Sequence, residues 1–432
     1  MARSSLESAG RDVMTLMKTS ALGFQRCYRL TPDRGPADEV VSQLRIDGAA
    51  LSQTVLAPYS VGLRYLVVPA GASDVAITGN DFRVERLGLL PSLWARLRLA
   101  LLFKKKKYLK YEEFSVFSIG PKPERKRFTS FNQDMLKIGV GIDSDLMVRH
   151  PEVLAGWSAD DSGNGAVSRP EGPNSIAVVV HVYYDDAWPD IAGALKRLSI
   201  PFDLIVTTVP GRERLIEAVR LDFPHADIET MENRGRDVRP FLVLLERGRL
   251  DRYLYVCKVH GKKSSDGRKS YMGLLWRRRL LFDVLAAPGL AVAIVERFEG
   301  DPSIGMIGPR VFRMPSELYP EELSWSTNRP MVLELATRMG VPTERFRLDF
   351  FGGTMFWVRP DALRPLRELS LADAFPHESG LLDGGLEHAT ERLFATSVVR
   401  AGYKLANSDA FGVSDGERPR ATRDEAASVQ PR

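Results

Sequence analysis

Short apolar runs and helix-spaced apolar residues alternate along the C-terminal half of the chain. The first run, residues 176–184, is nearly continuous and rich in valine, as is typical of a strand buried on both faces. Further strands are predicted at 202–208, 226–230 and 252–259, and helices at 188–198, 213–221 and 238–247. This alternation predicts βαβ units, and therefore an α/β fold with an open, mostly parallel sheet flanked by helices. Ligands of such sheets bind at the carboxyl ends of the strands.

The N-terminal half has a different pattern. Residues 61–69 and 74–78 are rich in strand-forming residues and are bounded by Gly, Pro, Asn and Asp, which predicts short strands. Residues 159–174 are rich in polar residues, Gly and Pro and have no apolar period, which is typical of a linker. The predicted organisation is an N-terminal helix at 1–25, a small β-rich module at 26–86, a basic amphipathic helix with a connecting segment at 87–158, a flexible linker at 159–174, an α/β domain at 175–413 and a disordered tail at 414–432.

The segment 87–108 combines an apolar helical face with positive charge. The apolar residues at helical spacing are Leu90, Leu93, Trp94, Leu97 and Leu101. Arg96, Arg98 and four lysines at 104–107 supply the charge. One interpretation is a helix packed on its own domain, with solvated lysines at its C-terminus. The other is a helix that lies in the interface of an anionic bilayer.

Composition narrows the classes of function. The 432 residues are 44% hydrophobic and 27% charged, as expected for a globular protein of two or three domains. A net charge of +5 suits a binder of phosphate or of an anionic membrane, but it is too diffuse to indicate nucleic acid. Two cysteines exclude a disulfide framework and a cysteine zinc site. No secretory signal or spanning segment is recognised, so we expect a cytoplasmic protein.

Polar clusters follow three of the predicted strands. The first contains His181 and Tyr183, and the second is the sequence ENRGRD at 232–237. Arg234 and Arg236 are donors suited to phosphate, although a plain turn with Asp237 capping the next helix explains the same residues.

The third cluster, KVHGKKS at 258–264, follows the fourth strand. It is either a solvated basic loop or a clamp for a diphosphate, with His260 as a further donor or proton carrier. Its glycine spacing does not match a Walker A motif, and no GxGxxG sequence follows a strand.

Two further clusters lie downstream. Residues 350–357 are predicted to form a strand whose glycines permit close approach of a ligand, and Trp357 either stacks on a sugar or belongs to the core. Asp383 precedes a predicted helix, either as its N-cap or as a general base. Glu387 and Glu391 share one face of that helix.

Six motifs, in this order, resemble the rhamnan synthesis F protein family. They are VVVHVYYDDAW at 178–188, ENRGRDVRPFL at 232–242, YVCKVHGKKS at 255–264, IGMIGP at 304–309, GGTMFWVRPDAL at 352–363 and DGGLEHATERLF at 383–394. The resemblance covers roughly residues 175–411 and implies a bacterial GT-A-like glycosyltransferase domain that builds rhamnose-containing surface polysaccharide, such as an O-antigen. KVHGKKS stands where GT-A enzymes usually carry an Asp-x-Asp motif, so no metal ligand is assigned and a Mg²⁺ or Mn²⁺ requirement is left open.

The resemblance also implies roles for individual residues. The residues expected to bind the nucleotide sugar are His181, Tyr183, Asn233, Arg234, Arg236, Asp237, Lys258, Lys262 and Lys263. The residues expected on the acceptor side are Gly353, Thr354, Trp357 and His388. Asp383 is the first choice for the catalytic base and Glu378 the second, with His260 also counted as catalytic.

The leading hypothesis is a rhamnosyltransferase that uses dTDP- or GDP-rhamnose. Its acceptor would be a lipid-linked glycan at the inner face of the cytoplasmic membrane, where the segment 87–108 would make peripheral contact. The main alternative is a non-catalytic glycan-binding or assembly subunit on a GT-A-like scaffold. A third hypothesis is another phosphate-group enzyme, such as a sugar-phosphate transferase. No nucleic-acid partner is expected.

Overall fold

A computed structural model describes a minority of residues 1–174 and most of residues 175–414. The described residues are 26–32, 43–46, 54–55, 64–68, 75–78, 82–103, 108–110, 115–117, 153, 157, 175–261, 270–378, 380, 383–409 and 412–414. The chain divides into two compact units, Met1–Ala155 and Gly156–Arg432. The predicted helix at 1–25 and linker at 159–174 lie outside the described residues, as does nearly all of the predicted tail.

The first unit contains two antiparallel sheets, in agreement with the predicted β-rich module. Its strands are β1 (Arg26–Pro32), β2 (Gln43–Ile46), β3 (Thr54–Val55), β4 (Arg64–Val68), β5 (Val75–Thr78), β6 (Phe82–Arg86), β7 (Tyr108–Lys110) and β8 (Ser115–Phe117). The larger sheet has the order β6-β1-β4-β8-β7 and the smaller one the order β3-β2-β5. The larger sheet therefore takes two strands from beyond residue 86, in the segment predicted only as a connection.

A helix, α1 (Leu89–Phe103), follows β6. It places Ala95 and Leu99 in one buried cluster with Cys27, Tyr65 and Val67 of β1 and β4. Within the described part of the chain, no helix is long and apolar enough to cross a membrane.

The second unit is built on one mixed sheet of eight strands. They are β9 (Ile176–His181), β10 (Asp203–Thr208), β11 (Asp227–Thr230), β12 (Tyr255–His260), β13 (Ile304–Pro309), β14 (Phe356–Val358), β15 (Lys404–Asp409) and β16 (Gly412–Ser414). Their order is β11-β10-β9-β12-β14-β13-β15-β16. β14 and β16 run antiparallel to their neighbours, and the other neighbouring pairs are parallel. The predicted α/β class with a mostly parallel sheet is thus confirmed.

Helices connect these strands. They are α2 (Trp188–Leu195), α3 (Glu213–Asp222), α4 (Val238–Glu246), α5 (Ser270–Leu281), α6 (Leu290–Gly300), α7 (Glu321–Ser324), α8 (Arg329–Arg338), α9 (Arg364–Arg367) and α10 (Leu386–Arg400). A π-helical turn, Phe282–Ala286, continues α5. Aromatic rings from α4, β14 and α10 pack edge to face or tilted in the core, where Phe241 contacts Phe356 and Phe394.

The strand predicted at 350–357 is the main difference from expectation. Only Phe356–Val358 form a strand. Gly353 has a φ of 92° and Thr354 a φ of 48°, and positive φ values cannot continue a strand. The two glycines therefore belong to a turn that leads into β14.

The order of the strands places a crevice beside β9. The chain runs outward from β9 through β10 to β11, and then returns to the other side of β9 as β12. The connections that leave the carboxyl ends of β9 and β12 consequently run in opposite directions along the sheet. Open α/β sheets bind ligands in the crevice between two such connections. His181 and His260, the last residues of these strands, are partners in the parallel register.

Candidate functional site

A cavity of about 480 Å³ opens at this crevice. Its walls come from the ends of β9 and β12, the start of α4, the turn before β14 and the start of α10. The lining residues are His181, Tyr183, Tyr184, Asn233, Arg236, Asp237, Val238, His260, Gly261, Gly353, Thr354, Glu378, Gly380, Glu387, His388 and Glu391. Most of the predicted site residues therefore meet in one place, although 207 positions separate His181 from His388 along the chain.

Asp237 lines this cavity, and Lys258 is buried beside it. Lys258 Nζ lies 2.6 Å from Asp237 Oδ2 and donates a second hydrogen bond to the carbonyl of Thr354 at 3.0 Å. Lys258 is only 2% exposed, and the rings of Phe241, Phe356 and Phe394 surround its ammonium group. Lys258 is therefore a structural counter-ion of Asp237, and the expectation that it holds a diphosphate is wrong in this structure.

The side chain of Asp237 does not cap α4, although the residue occupies the N-cap position. Its Oδ2 also accepts a hydrogen bond from the Thr354 hydroxyl at 2.5 Å, and its Oδ1 lies 3.8 Å from His260 Nδ1. Burial raises the pKa of this carboxyl, but the charges of His260 and Lys258 and two hydrogen bonds outweigh it and hold the pKa well below its ordinary value. Asp237 is thus a permanent anion beneath the cavity.

Two histidines stand at the strand ends above it. His181 Nδ1 lies 3.0 Å from Thr207 Oγ1 on β10, and His260 Nε2 lies 2.8 Å from the carbonyl of Gly353. Since a carbonyl only accepts, His260 Nε2 carries a proton. Burial lowers the pKa of His181 to about 4, and the nearby Asp237 only partly opposes this. His181 is therefore neutral near pH 7 and can act as a hydrogen-bonding group rather than as a cation.

Left-handed backbone occurs at two points on the cavity wall. Gly235 and Arg236 have φ values of 59° and 52°, and Gly353 and Thr354 have 92° and 48°. A Cβ atom on Gly235 would lie 2.4 Å from the Phe375 ring, so this position requires glycine. A threonine at positive φ costs on the order of 1–3 kcal/mol, and such strain is concentrated at functional sites. Here the positive φ of Thr354 directs its hydroxyl toward the Asp237 carboxylate, to which it donates a hydrogen bond.

The side chains of the two arginines of the ENRGRD turn have different surroundings in the structure. Arg236 faces the cavity, with Nη1 3.0 Å from His388 Nε2 and Nε 3.7 Å from Glu378 Oε2. Arg234 instead donates to the carbonyls of Phe375 and Asp373. Arg234 therefore anchors the loop before Glu378, and it is not among the residues that line the cavity.

Three carboxylates also line the cavity, those of Glu378, Glu387 and Glu391. Glu387 and Glu391 both line it from the first turns of α10, which confirms that they share a face. Glu391 Oε1 accepts a 2.7 Å hydrogen bond from the Gly353 amide, and Glu387 Oε1 lies 3.3 Å from His388 Nδ1. Glu378 is the more accessible group, with 26% of its side chain exposed.

Asp383 is not among the residues that line the cavity. Its Oδ1 accepts a 2.7 Å hydrogen bond from the Asn328 amide at the start of α8. Burial raises its pKa, but hydrogen bonds from Ser326, Asn328 and Gly384 outweigh this and lower it. The N-cap of α10 is Gly385, so neither a capping role nor direct contact with a ligand fits Asp383 here.

Three other predicted residues are placed as follows. Trp357 is fully buried and donates from Nε1 to the carbonyl of Val284 at 2.7 Å, so it is a core residue and cannot stack on a sugar. Lys262 and Lys263 lie outside the described residues. Three lining residues, Tyr184, Glu387 and Glu391, were not among the predicted site residues; the shared helix face of the two glutamates was their signal in the sequence.

The described residues do not fit a metal site. Among them, no three His, Cys, Asp or Glu side chains are grouped so that they could hold an ion. The carboxylate nearest to the strand ends, Asp237, is already neutralised by Lys258 at 2.6 Å. Arg236 and His260 can both donate hydrogen bonds from the wall, and the first turns of α4 and α10 also line the cavity. Helix N-termini carry a partial positive charge, so this wall suits an anionic group.

Comparison with known proteins identifies relatives. A family model described as rhamnan synthesis protein F matches residues 164–403, which is more than half of the chain. Two similar proteins, both called Uncharacterized protein WxcX, come from the B100 and ATCC 33913 strains of Xanthomonas campestris pv. campestris. Each is 31% identical over 268 residues, which make up 60% of this chain and 37% of the relative. The chain thus matches well under half the length of these curated relatives.

Proposed function

Because the chain belongs to the rhamnan synthesis protein F family, as its motifs predicted, we propose that its second unit is a GT-A-like glycosyltransferase domain. Membership of this family associates the chain with the synthesis of rhamnan and related polysaccharide. The proposed reaction transfers a sugar, with rhamnose as first candidate, from a nucleoside diphosphate to a glycan hydroxyl.

One observation carries this proposal. The cavity at the carboxyl ends of β9 and β12 has a basic wall with Arg236 and His260, and an acidic wall with Glu378, Glu387 and Glu391. The two walls meet where Arg236 Nε lies 3.7 Å from Glu378 Oε2. A guanidinium and a helix N-terminus suit the diphosphate of a donor. A carboxylate in the same cavity suits an acceptor hydroxyl that must lose its proton. Both needs of a glycosyl transfer are thus met within one cavity.

The proposed step is as follows. The acceptor oxygen forms a bond to the anomeric carbon while the bond from that carbon to the diphosphate oxygen breaks. The leaving nucleoside diphosphate takes the electron pair, and Arg236 and His260 stabilise its charge. The acceptor proton passes to a carboxylate on the acidic wall. Glu378 is proposed for this role in place of Asp383, because Glu378 lines the cavity and its side chain is partly accessible.

Two aromatic residues after β9 also support a donor site in this cavity. Tyr183 and Tyr184 follow β9 and contact each other edge to face, and the Arg212 guanidinium lies 4.9 Å from the centre of the Tyr183 ring. An aromatic group beside the basic wall suits the base of a nucleotide. We therefore propose that the nucleoside lies toward β9 and the sugar toward α10.

Calorimetric titration with dTDP-rhamnose, GDP-rhamnose and UDP-glucose, with Mg²⁺ or with EDTA, tests donor binding. We expect one donor to bind and Arg236→Gln to weaken its binding at least tenfold. Arg220→Gln, which removes an exposed arginine on α3, should leave the affinity unchanged. Absence of binding to every nucleotide sugar tried, in folded protein, would contradict the proposal.

Product analysis separates this proposal from its rivals. Release of nucleoside diphosphate in the presence of a glycan acceptor is expected for a glycosyltransferase. Release of nucleoside monophosphate would indicate a sugar-phosphate transferase instead. Binding without any turnover would favour a non-catalytic subunit on the same scaffold.

A further inference from the structure

Helix α1 has two apolar faces, and among the described residues one of them is buried within its unit while the other is largely exposed, apart from an edge contact of Trp94 with the Tyr65 ring. Ala95 and Leu99 are buried against β1 and β4. Six larger apolar residues are exposed, from 42% at Trp94 to 79% at Leu90. They are Leu89, Leu90, Leu93, Trp94, Leu97 and Leu101. At about 100° per residue, these six cover one continuous arc of about 140°, on the side of the helix opposite Ala95 and Leu99.

Arginines flank this exposed arc on both sides. By the same rotation, Arg96 lies about 20° before it and Arg98 about 40° after it. The Arg98 guanidinium lies 5.2 Å from the centre of the Trp94 ring, at the edge of the apolar face. Long cationic side chains in such positions can bury their aliphatic stems at an apolar surface while their charge stays in a polar layer.

The sequence around the helix has charge of one sign. From residue 87 to residue 110 there are seven lysines and arginines and no aspartate or glutamate. Four of the lysines follow the helix directly, at 104–107. Protein–protein interfaces are depleted in lysine, whereas four or more basic residues beside an amphipathic helix are typical of binding to anionic lipid.

We propose that the exposed face of α1, defined by its six exposed apolar residues, docks the protein on an anionic lipid bilayer. With 15 residues, α1 is about 22 Å long, shorter than the hydrocarbon core of about 30 Å, so it lies in the interface and does not span it. Leu and Trp side chains enter the boundary between headgroups and acyl chains, and Arg96 and Arg98 contact the lipid phosphates. This proposal is independent of the chemistry of the second unit.

Flotation of the full chain with lipid vesicles tests this assignment. We expect binding to vesicles of phosphatidylcholine with 30% phosphatidylglycerol to be at least tenfold stronger than to pure phosphatidylcholine, because about 30% anionic lipid gives the surface a negative potential. Leu90→Glu combined with Leu97→Glu should reduce that binding at least tenfold. Both positions are more than half exposed, so the thermal unfolding midpoint should not change.

Two matched variants complete the test. Leu221→Glu replaces a leucine that is 78% exposed on α3 and should bind vesicles as the wild type does. Arg96→Gln with Arg98→Gln should weaken binding to anionic vesicles roughly tenfold or more, at about 1 kcal/mol for each charge. Failure of the wild type to bind anionic vesicles, or equal binding by the Leu90→Glu, Leu97→Glu variant, would overturn the proposal. The proposal would also be overturned if the wild type formed a dimer and did not bind vesicles, and if the Leu90→Glu, Leu97→Glu variant were a monomer.

Discussion

Lys258 of β12 and Asp237 at the start of α4 form a buried ion pair beneath the cavity, with Nζ 2.6 Å from Oδ2. The pair joins the strand that carries His260 to the turn that carries Arg236. Thr354 contacts both partners, through its carbonyl to Lys258 and its hydroxyl to Asp237. Three separate segments of the site are thus fastened at one point, and the geometry of the cavity depends on it.

Removal of one partner of this ion pair should therefore destabilise the folded protein strongly. Lys258→Met keeps the length of the side chain but leaves Asp237 as a buried charge with less compensation. We expect the free energy of unfolding to fall by about 3–5 kcal/mol, measured by chemical denaturation. Adding Asp237→Asn to this variant should restore part of the loss.

Lys196→Met is the matched control for this pair. The Lys196–Asp222 pair has the same 2.6 Å separation, but about a third of each side chain is exposed. Its loss should cost no more than about 1 kcal/mol. Equal destabilisation by the two variants would mean that the burial of Lys258 does not determine its contribution.

The Thr354 hydroxyl provides a second prediction. Thr354→Val removes its hydrogen bond to the Asp237 carboxylate, and a hydrogen bond to a charged group contributes about 1.5–3 kcal/mol. We expect a loss of that size in the free energy of unfolding. Thr354→Ser keeps the hydroxyl, and serine also relaxes the β-branched side chain at positive φ, so it should remain within about 1 kcal/mol of the wild type. A valine variant as stable as the serine variant would show that the hydrogen bond does not stabilise the fold.

The pH dependence of stability provides a third prediction. The pKa of His181 falls from 6.5 to about 4 on folding, so between these values the unfolded state binds the proton more strongly. The free energy of unfolding should therefore fall as the pH drops from about 6.5 to about 4, and His181 should account for about 3 kcal/mol of this change. His181→Gln should show a correspondingly smaller dependence in denaturation curves collected across this range.

Asp283 is the comparison for this measurement because its effect has the opposite sign. Burial raises its pKa from 3.8 to about 6, against the opposing effect of Arg279. Its contribution to stability is therefore present at acidic pH and is lost as the pH rises through about 6. Asp283→Asn should make the loss of stability on acidification steeper. If His181→Gln and Asp283→Asn changed the slope in the same direction, the assignment of His181 as a buried neutral group would be wrong.

The acidic wall provides a fourth prediction, which depends on the proposed glycosyl transfer. Glu378→Gln should lower kcat for release of nucleoside diphosphate by about 10²–10⁴, since a general base acts in the transition state, and should not weaken donor binding, since it also frees Arg236 from its ion pair. Asp383→Asn should lower kcat much less, because Asp383 hydrogen-bonds Asn328 and does not line the cavity. Glu391→Gln should instead affect stability, because Glu391 holds the Gly353 amide. A larger loss of kcat in the Asp383 variant would reverse the assignment.

The sequence alone determined the order of the elements from β9 to β12 and the edge of the sheet where the site lies. The valine-rich run that became β9 and the helix-spaced apolar residues of α4 are local patterns, and they specify strand and helix with little help from distant residues. Once strands alternate with helices and run parallel, the carboxyl ends of β9 and β12 lie at the same edge of the sheet. That is why His181, Arg236 and His260 could be placed together before any coordinates were known.

Only the tertiary structure decided which side chains face the cavity. Lys258 and His260 lie on the same face of β12 because side chains alternate with a period of two, but Lys258 is about 7 Å further from the carboxyl end and lies under the aromatic rings of the core. Asp383 turns to Asn328, and Trp357 is enclosed by the core. Each of these outcomes depends on residues far away in the chain, because burial and hydrogen-bond partners are properties of the packed structure, which local periodicity does not contain.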